Sequence, residues 1–153
     1  MTDPEAANSP APLFLSEATR VRLEGVRRGL LHLHKALLDS ERAAYELASG
    51  RRVTPGELLQ LLIHDSWFAW LRPFSELVVQ IDEMQEAGKK ARSSSLPTED
   101  DATAALGQAR SLLNLAEGET GAGSRYFEAL QKDPATILAY AEVLKFFPVT
   151  DDV

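Results

Sequence analysis

Two histidines two positions apart, His32 and His34, are the residues best placed by type and spacing to do chemistry in this chain. Residues three and four apart are neighbours on a helix. His34 therefore has Leu30, Leu31, Leu37 and Leu38 one turn away on either side, and His32 has Arg28, Gly29, Lys35 and Ala36. The spacing predicts one buried imidazole and one wet one. A buried imidazole without a partner costs about 1–3 kcal/mol, so His34 is expected to bond a carbonyl, a hydroxyl such as Ser40 or Ser66, or an acid on a facing helix. The third histidine, His64, is followed by Asp65. Together with His34 these two could form a mononuclear metal set, whereas the Glu-x-x-His pairs of carboxylate-bridged di-iron proteins and the His-Glu-x-x-His of zinc hydrolases are both missing from the sequence.

The segment His32-Leu33-His34-Lys35-Ala36 is similar to the pattern of histidine phosphotransfer domains, where lysine follows an exposed histidine by three residues and a small residue by four. That resemblance implies a phosphoacceptor role for His32, with Lys35 balancing the phosphoryl charge. It covers five residues, and it departs from the pattern at Ala36, where glycine is usual, and at His34, where leucine is usual.

Aromatic residues concentrate in Trp67-Phe68-Ala69-Trp70-Leu71-Arg72-Pro73-Phe74. Rings at helical spacing bury large area, and most of this stretch is expected in the core. A proline and a chain break fall in the same region, so a pocket walled by Trp67 and Trp70 and edged by His64, Asp65 and Arg72 is the expected place for a small ligand, with His34 as a further candidate.

Composition removes several alternatives. The chain has 153 residues, no cysteine, 44% hydrophobic residues and a net charge of −7. Disulfides, thiolate nucleophiles and cysteine-held metals are excluded. The acidity concentrates in residues 93–153, which argues against nucleic-acid binding, since that needs clustered cations to neutralise phosphates. Arg20, Arg22, Arg27 and Arg28 form a local basic patch, expected to pair with Glu17 and Glu24. Neither a secretory leader nor an apolar run of membrane-spanning length is evident, so a cytoplasmic location is expected. No cofactor is implied. The glycines form neither a phosphate-cradling loop nor a dinucleotide fingerprint.

The elements that must carry these residues are all helical. Residues 1–15 hold three prolines and read as a disordered tail. After the cap Ser16, the stripe Leu23, Val26, Leu30, Leu33, Leu37, Ala44 and Leu47 predicts one long helix stopping at Gly50. Thr54-Pro55-Gly56-Glu57 opens a second helix with a capping box and a first-turn proline. It ends at His64, where Asp65-Ser66 offers a break and a fresh cap, and a kink or a short break is expected near Arg72. The run Ala87 to Pro97 reads as an exposed connection. Thr98 with Asp101 caps a helix with the seam Ala102, Ala105, Ala109, Leu112 and Ala116. Gly118 to Gly123 reads as a flexible joint. Two short helices follow, one from Ser124 to about Gln131 and one capped by Asp133-Pro134 that carries Ile137, Tyr140, Ala141, Leu144 and Phe147.

The run Leu62-Ile63-His64-Asp65-Ser66-Trp67-Phe68-Ala69-Trp70-Leu71-Arg72-Pro73-Phe74-Ser75-Glu76-Leu77, with the preceding Leu-rich helix ending in Tyr45-Glu46, resembles a family of small uncharacterised bacterial proteins. The resemblance implies a bacterial all-helical cytosolic protein and no particular activity.

The expected architecture is an all-α, single antiparallel bundle of five to six helices over residues 16–148, followed by an acidic end at 149–153. Its expected function is non-catalytic: a module binding another protein or a small ligand, with a homodimer through surplus apolar surface on the first or third helix as one form. Phosphotransfer at His32 is the alternative, and a metal-dependent enzyme at His34 and His64 comes third.

Overall fold

Ser16 adopts an extended conformation, and its hydroxyl accepts a hydrogen bond from the Thr19 amide at 3.1 Å. From that cap helix α1 runs over Glu17–Ser49, until Gly50 takes the left-handed conformation (φ 75°) that stops it. Its 33 residues make a rod of about 50 Å at 1.5 Å per residue. The computed structural model describes residues 15–90, 96–115 and 121–147, and every regular element among them is helical. Residues 1–14 of the expected 1–15 tail, the expected acidic end at 149–153 and Ala116 lie outside the described residues, as do residues 118–120 of the expected Gly118–Gly123 joint, while Leu15, expected as the last residue of the tail, is buried in the core.

Five further α-helices follow: α2 (Pro55–His64), α3 (Arg72–Lys90), α4 (Glu99–Leu113), α5 (Gly121–Lys132) and α6 (Pro134–Leu144). Local chemistry explains most of their starts. Thr54 and Glu57 form a reciprocal capping box, as do Thr98 and Asp101, and Asp133 accepts from the Ala135 amide just before Pro134. Thr54→Ala removes one such acceptor and is expected to lower stability by about 1 kcal/mol, as read by urea denaturation.

The region between α2 and α3 departs from its expected form. No helix starts at the Asp65-Ser66 cap. The chain makes turns through Asp65 to Phe68, then a 3₁₀ turn at Ala69–Leu71, before α3 begins at Arg72. Pro73 falls in the first turn of α3, where its missing N–H costs nothing. Of the kink or short break expected near Arg72, the chain takes the break, and it falls directly before that residue. Two other boundaries also move. α3 continues to Lys90, into the expected connection, and α5 starts at Gly121, three residues before Ser124.

α1 is the spine, packing against α3, α4, α5 and α6. The buried side of α1 is Leu23, Val26, Leu30, Leu33 and Leu37, and these join Phe68, Leu71, Phe74, Ile81, the alanines 102, 105 and 109 of α4, Tyr126 and Val143 in one core. α6 packs antiparallel on α1, with Val143 against Gly29 and Phe146, just past its end, against Gly25. A β-carbon at Gly29 would sit 2.7 Å from the Val143 Cβ, and one at Gly25 would fall on the Phe146 ring, so the close approach depends on glycine. α6 uses Thr136 and Val143 as its buried positions, while Ile137 is 47% exposed and Leu138 66%. Of the apolar residues read on this helix, Phe147 is buried just past its end and Ile137 lies on the outer side.

The basic patch divides its roles. Arg20 pairs with Glu17, and Arg27 and Arg28 converge on Glu24 at 2.9 and 3.1 Å. The Arg27 hydrogen bond holds the Glu24 carboxyl at about 2. Arg22 instead donates to the Phe146 carbonyl at 2.8 Å and lies over the Phe147 ring, tying the end of α6 to α1.

Candidate functional site

The apolar seam of α1 carries a charge at the position that continues Leu30, Leu33 and Leu37. Glu41 is buried, with 6% of its surface exposed. A buried carboxylate must be paired or hydrogen-bonded to persist, and two donors meet it. The Trp70 indole donates from Nε1 at 2.9 Å, and Arg125 donates from Nε at 3.0 Å as an ion pair. Both reach the same oxygen, Oε2. The other oxygen, Oε1, takes no donor among the described residues.

Rings surround this pair. The Arg125 guanidinium lies over Trp67, 4.2 Å from the ring centroid, a cation–π stack in which the planar cation covers the ring face. Tyr45 meets Trp67 edge-on at 5.5 Å. Trp70, Phe74 and Tyr126 pack on one another at 5.8–6.3 Å between centroids. Two buried polar atoms, Trp67 Nε1 and Tyr126 Oη, have no partner among the described residues. Burial pushes the Tyr126 hydroxyl far above the ordinary tyrosine range, so it stays protonated at any physiological pH.

Outside the rings a cleft of about 320 Å³ opens between α1 and α5, lined by Ser40, Glu41 and Ala44 on one side, Arg125, Glu128, Ala129 and Lys132 on the other, with Trp67 contributing a wall. α5 delivers Arg125, Glu128 and Lys132 to this side because they fall three and four residues apart.

The residues singled out from sequence do not assemble as expected. His34 lies on α1 in the expected register, yet it is half-buried. Leu31 turns to solvent at 45% exposure, because the seam centres on Leu30, Leu33 and Leu37 and leaves His34 at its edge. Neither Ser40 nor Ser66 reaches it, and no hydrogen bond to it forms among the described residues. His64 is exposed at the end of α2 and, with Asp65, Arg51, Glu57, Gln60 and Leu61, lines a separate depression of about 360 Å³ that contains no indole. No group of three His, Cys, Asp or Glu able to hold a metal forms among the described residues, so His34, His64 and Asp65 do not converge. Asp65 instead accepts from the Trp67 amide at 2.7 Å, and Arg72 donates to the Leu62 carbonyl at 3.1 Å. Both side chains shape the turn between α2 and α3; Asp65 also edges the depression beside His64, and Arg72 does not. His32 is exposed, and the neighbouring Lys35 ammonium reaches Asp39 at 3.5 Å.

Of the candidates, Trp67 and Trp70 do come to a site, in the company of Glu41 and Arg125. Glu41 could have been found in the sequence, as an acid on an otherwise apolar stripe. Arg125 lies 84 residues further along the chain and gave no local sign.

Burial holds the His34 imidazole below the ordinary histidine range. A free histidine titrates near about 6.5, so on acidification the unfolded chain takes up this proton before the folded one does. Stability therefore falls as pH drops below about 6.5, and this loss is complete once the folded-state value is passed. Between pH 7.5 and 5.5 the wild-type melting temperature is expected to fall further than that of His34→Gln, as measured by circular dichroism.

The arrangement is an all-α bundle with a mixed-charge, aromatic-walled cleft. No protein-family model, curated protein or solved structure matches the chain. No helix among the described residues is long and apolar enough to cross a membrane.

Proposed function

We propose that this protein is a non-catalytic helical module that binds a small ligand in the cleft between α1 and α5. The observation that carries the reading is the half-used ion pair: among the described residues Glu41 Oε2 holds two donors while Oε1 holds none, and Arg125 donates only from Nε, with its two terminal nitrogens unbonded. Unused polar groups beside an aromatic wall, in a cleft at the lower end of the ~300–1,000 Å³ typical of ligand sites, are what a small molecule needs to be oriented. A cysteine-free composition supports a cytoplasmic setting.

The chain has two tryptophans, so ¹⁵N-labelled protein gives two indole N–H resonances, one at the cleft and one bonded to Glu41. A fragment library screened against these signals is expected to yield compounds that shift the Trp67 indole saturably. A library that moves neither indole would sink the reading.

Self-association is a second reading, supported by Leu59 and Ile63 on α2 and Ile137 and Leu138 on α6, each about half exposed or more. Mass measured in solution at two protein concentrations tests it, and a monomer at both would end it.

A further inference from the structure

The charges around the cleft restrict what it can hold. Glu41 and Glu128 supply two carboxylates, Arg125 and Lys132 two cations, and no ion pair joins Glu128 to either cation among the described residues. A simple anion such as phosphate would face both carboxylates, and a simple cation would face both the guanidinium and the ammonium. A small molecule bearing an ammonium and a carboxylate answers both signs at once. Its ammonium can donate to Glu41 Oε1, which takes no donor among the described residues. Its carboxylate can accept from the terminal nitrogens of Arg125, whose fork geometry matches a carboxylate, and from the long side chain of Lys132, two turns further along α5. The volume of about 320 Å³ leaves room for a modest side chain against the Trp67 ring.

We propose that the ligand of this cleft is a zwitterion of the α-amino-acid class, held with its ammonium on Glu41 and its carboxylate on Arg125 and Lys132. The proposal rests on the ligand-binding reading above and narrows it to one chemical class.

The test follows the Trp67 indole resonance of the full chain during titration with L-phenylalanine, L-leucine, 2-phenylethylamine, which lacks the carboxylate, and 3-phenylpropanoate, which lacks the ammonium. At least one amino acid is expected to bind saturably and at least tenfold more tightly than either half-molecule. Lys132→Glu, at an exposed position that leaves the buried pair intact, is expected to weaken amino-acid binding at least tenfold without changing the melting temperature. Glu41→Gln should weaken it similarly, but this variant also bears on folding, so Lys132→Glu is the deciding one. If either half-molecule binds as tightly as the amino acids, or if Lys132→Glu binds them unchanged, the class is wrong. If fragments occupy the cleft while neither amino acid does, the class also fails and the ligand-binding reading stands. If nothing moves the indole, both fail.

Discussion

Glu41→Ala is expected to destabilise the fold by about 3 kcal/mol, making it one of the two most damaging single substitutions considered. Removing one partner of a buried ion pair typically costs about 3–5 kcal/mol, because the remaining charge stays buried without compensation. Here the cost falls toward the lower end, since the Arg125 side chain is 31% exposed and can turn its charge to water. Trp70 has no such escape. Its indole nitrogen would remain inside the core without an acceptor, a penalty of about 1–3 kcal/mol. For a chain of this size the loss corresponds to a fall of about 6–12 °C in melting temperature. Adding Trp70→Phe in the alanine background should recover part of the loss, because the orphaned donor goes with it. Equal stability of Glu41→Ala and wild type in urea denaturation would show that the buried carboxylate is not an anchor of the fold.

Gly29→Val is expected to cost a similar amount for a different reason. Any β-carbon at this position sits 2.7 Å from the Val143 Cβ and 3.1 Å from its Cα. The second of these is backbone, so rotating a side chain cannot relieve the contact, and α1 and α6 must separate. Overpacking a well-filled interior costs about 1–3 kcal/mol, and a branched side chain on this contact falls at the upper end, about 3 kcal/mol. Gly107 provides the control. It lies within α4, and a β-carbon there meets nothing within 4 Å. Gly107→Ala should therefore stabilise by about 0.5–1 kcal/mol through helix propensity alone. Opposite signs for the two substitutions, in one protein and one assay, isolate the close approach of the helices from the intrinsic preference of glycine.

The contrast between these two residues also marks what could be read from the sequence. Helix starts at Ser16, Thr54, Thr98 and Asp133 were legible because capping is a local event between residues two or three apart. The core stripe of α1 was legible because periodicity is local as well. Glu41 was passed over because its meaning depends on Trp70 and Arg125, which lie 29 and 84 residues away. The same reason explains why Arg72 reads as a pocket group and why the backbone bond of Asp65 does not show. Their backbone partners, the Trp67 amide and the Leu62 carbonyl, could be assigned only once the chain was known to turn between α2 and α3. The outward position of Ile137 is not legible in the same way, because α6 is apolar nearly all round and such a helix gives periodicity little with which to choose a face.

The contact between Arg22 and the Phe146 carbonyl spans 124 residues of chain, and this sets the order in which the molecule can assemble. Bundles built from successive hairpins gain each contact from a short closure and fold quickly, whereas long-range closure slows the search for the native state. Seating α6 in the groove left by Gly25 and Gly29 is such a closure. Docking of α6 on α1 therefore carries a larger closure entropy than the helix turns within each element, and it is expected to follow their formation during refolding.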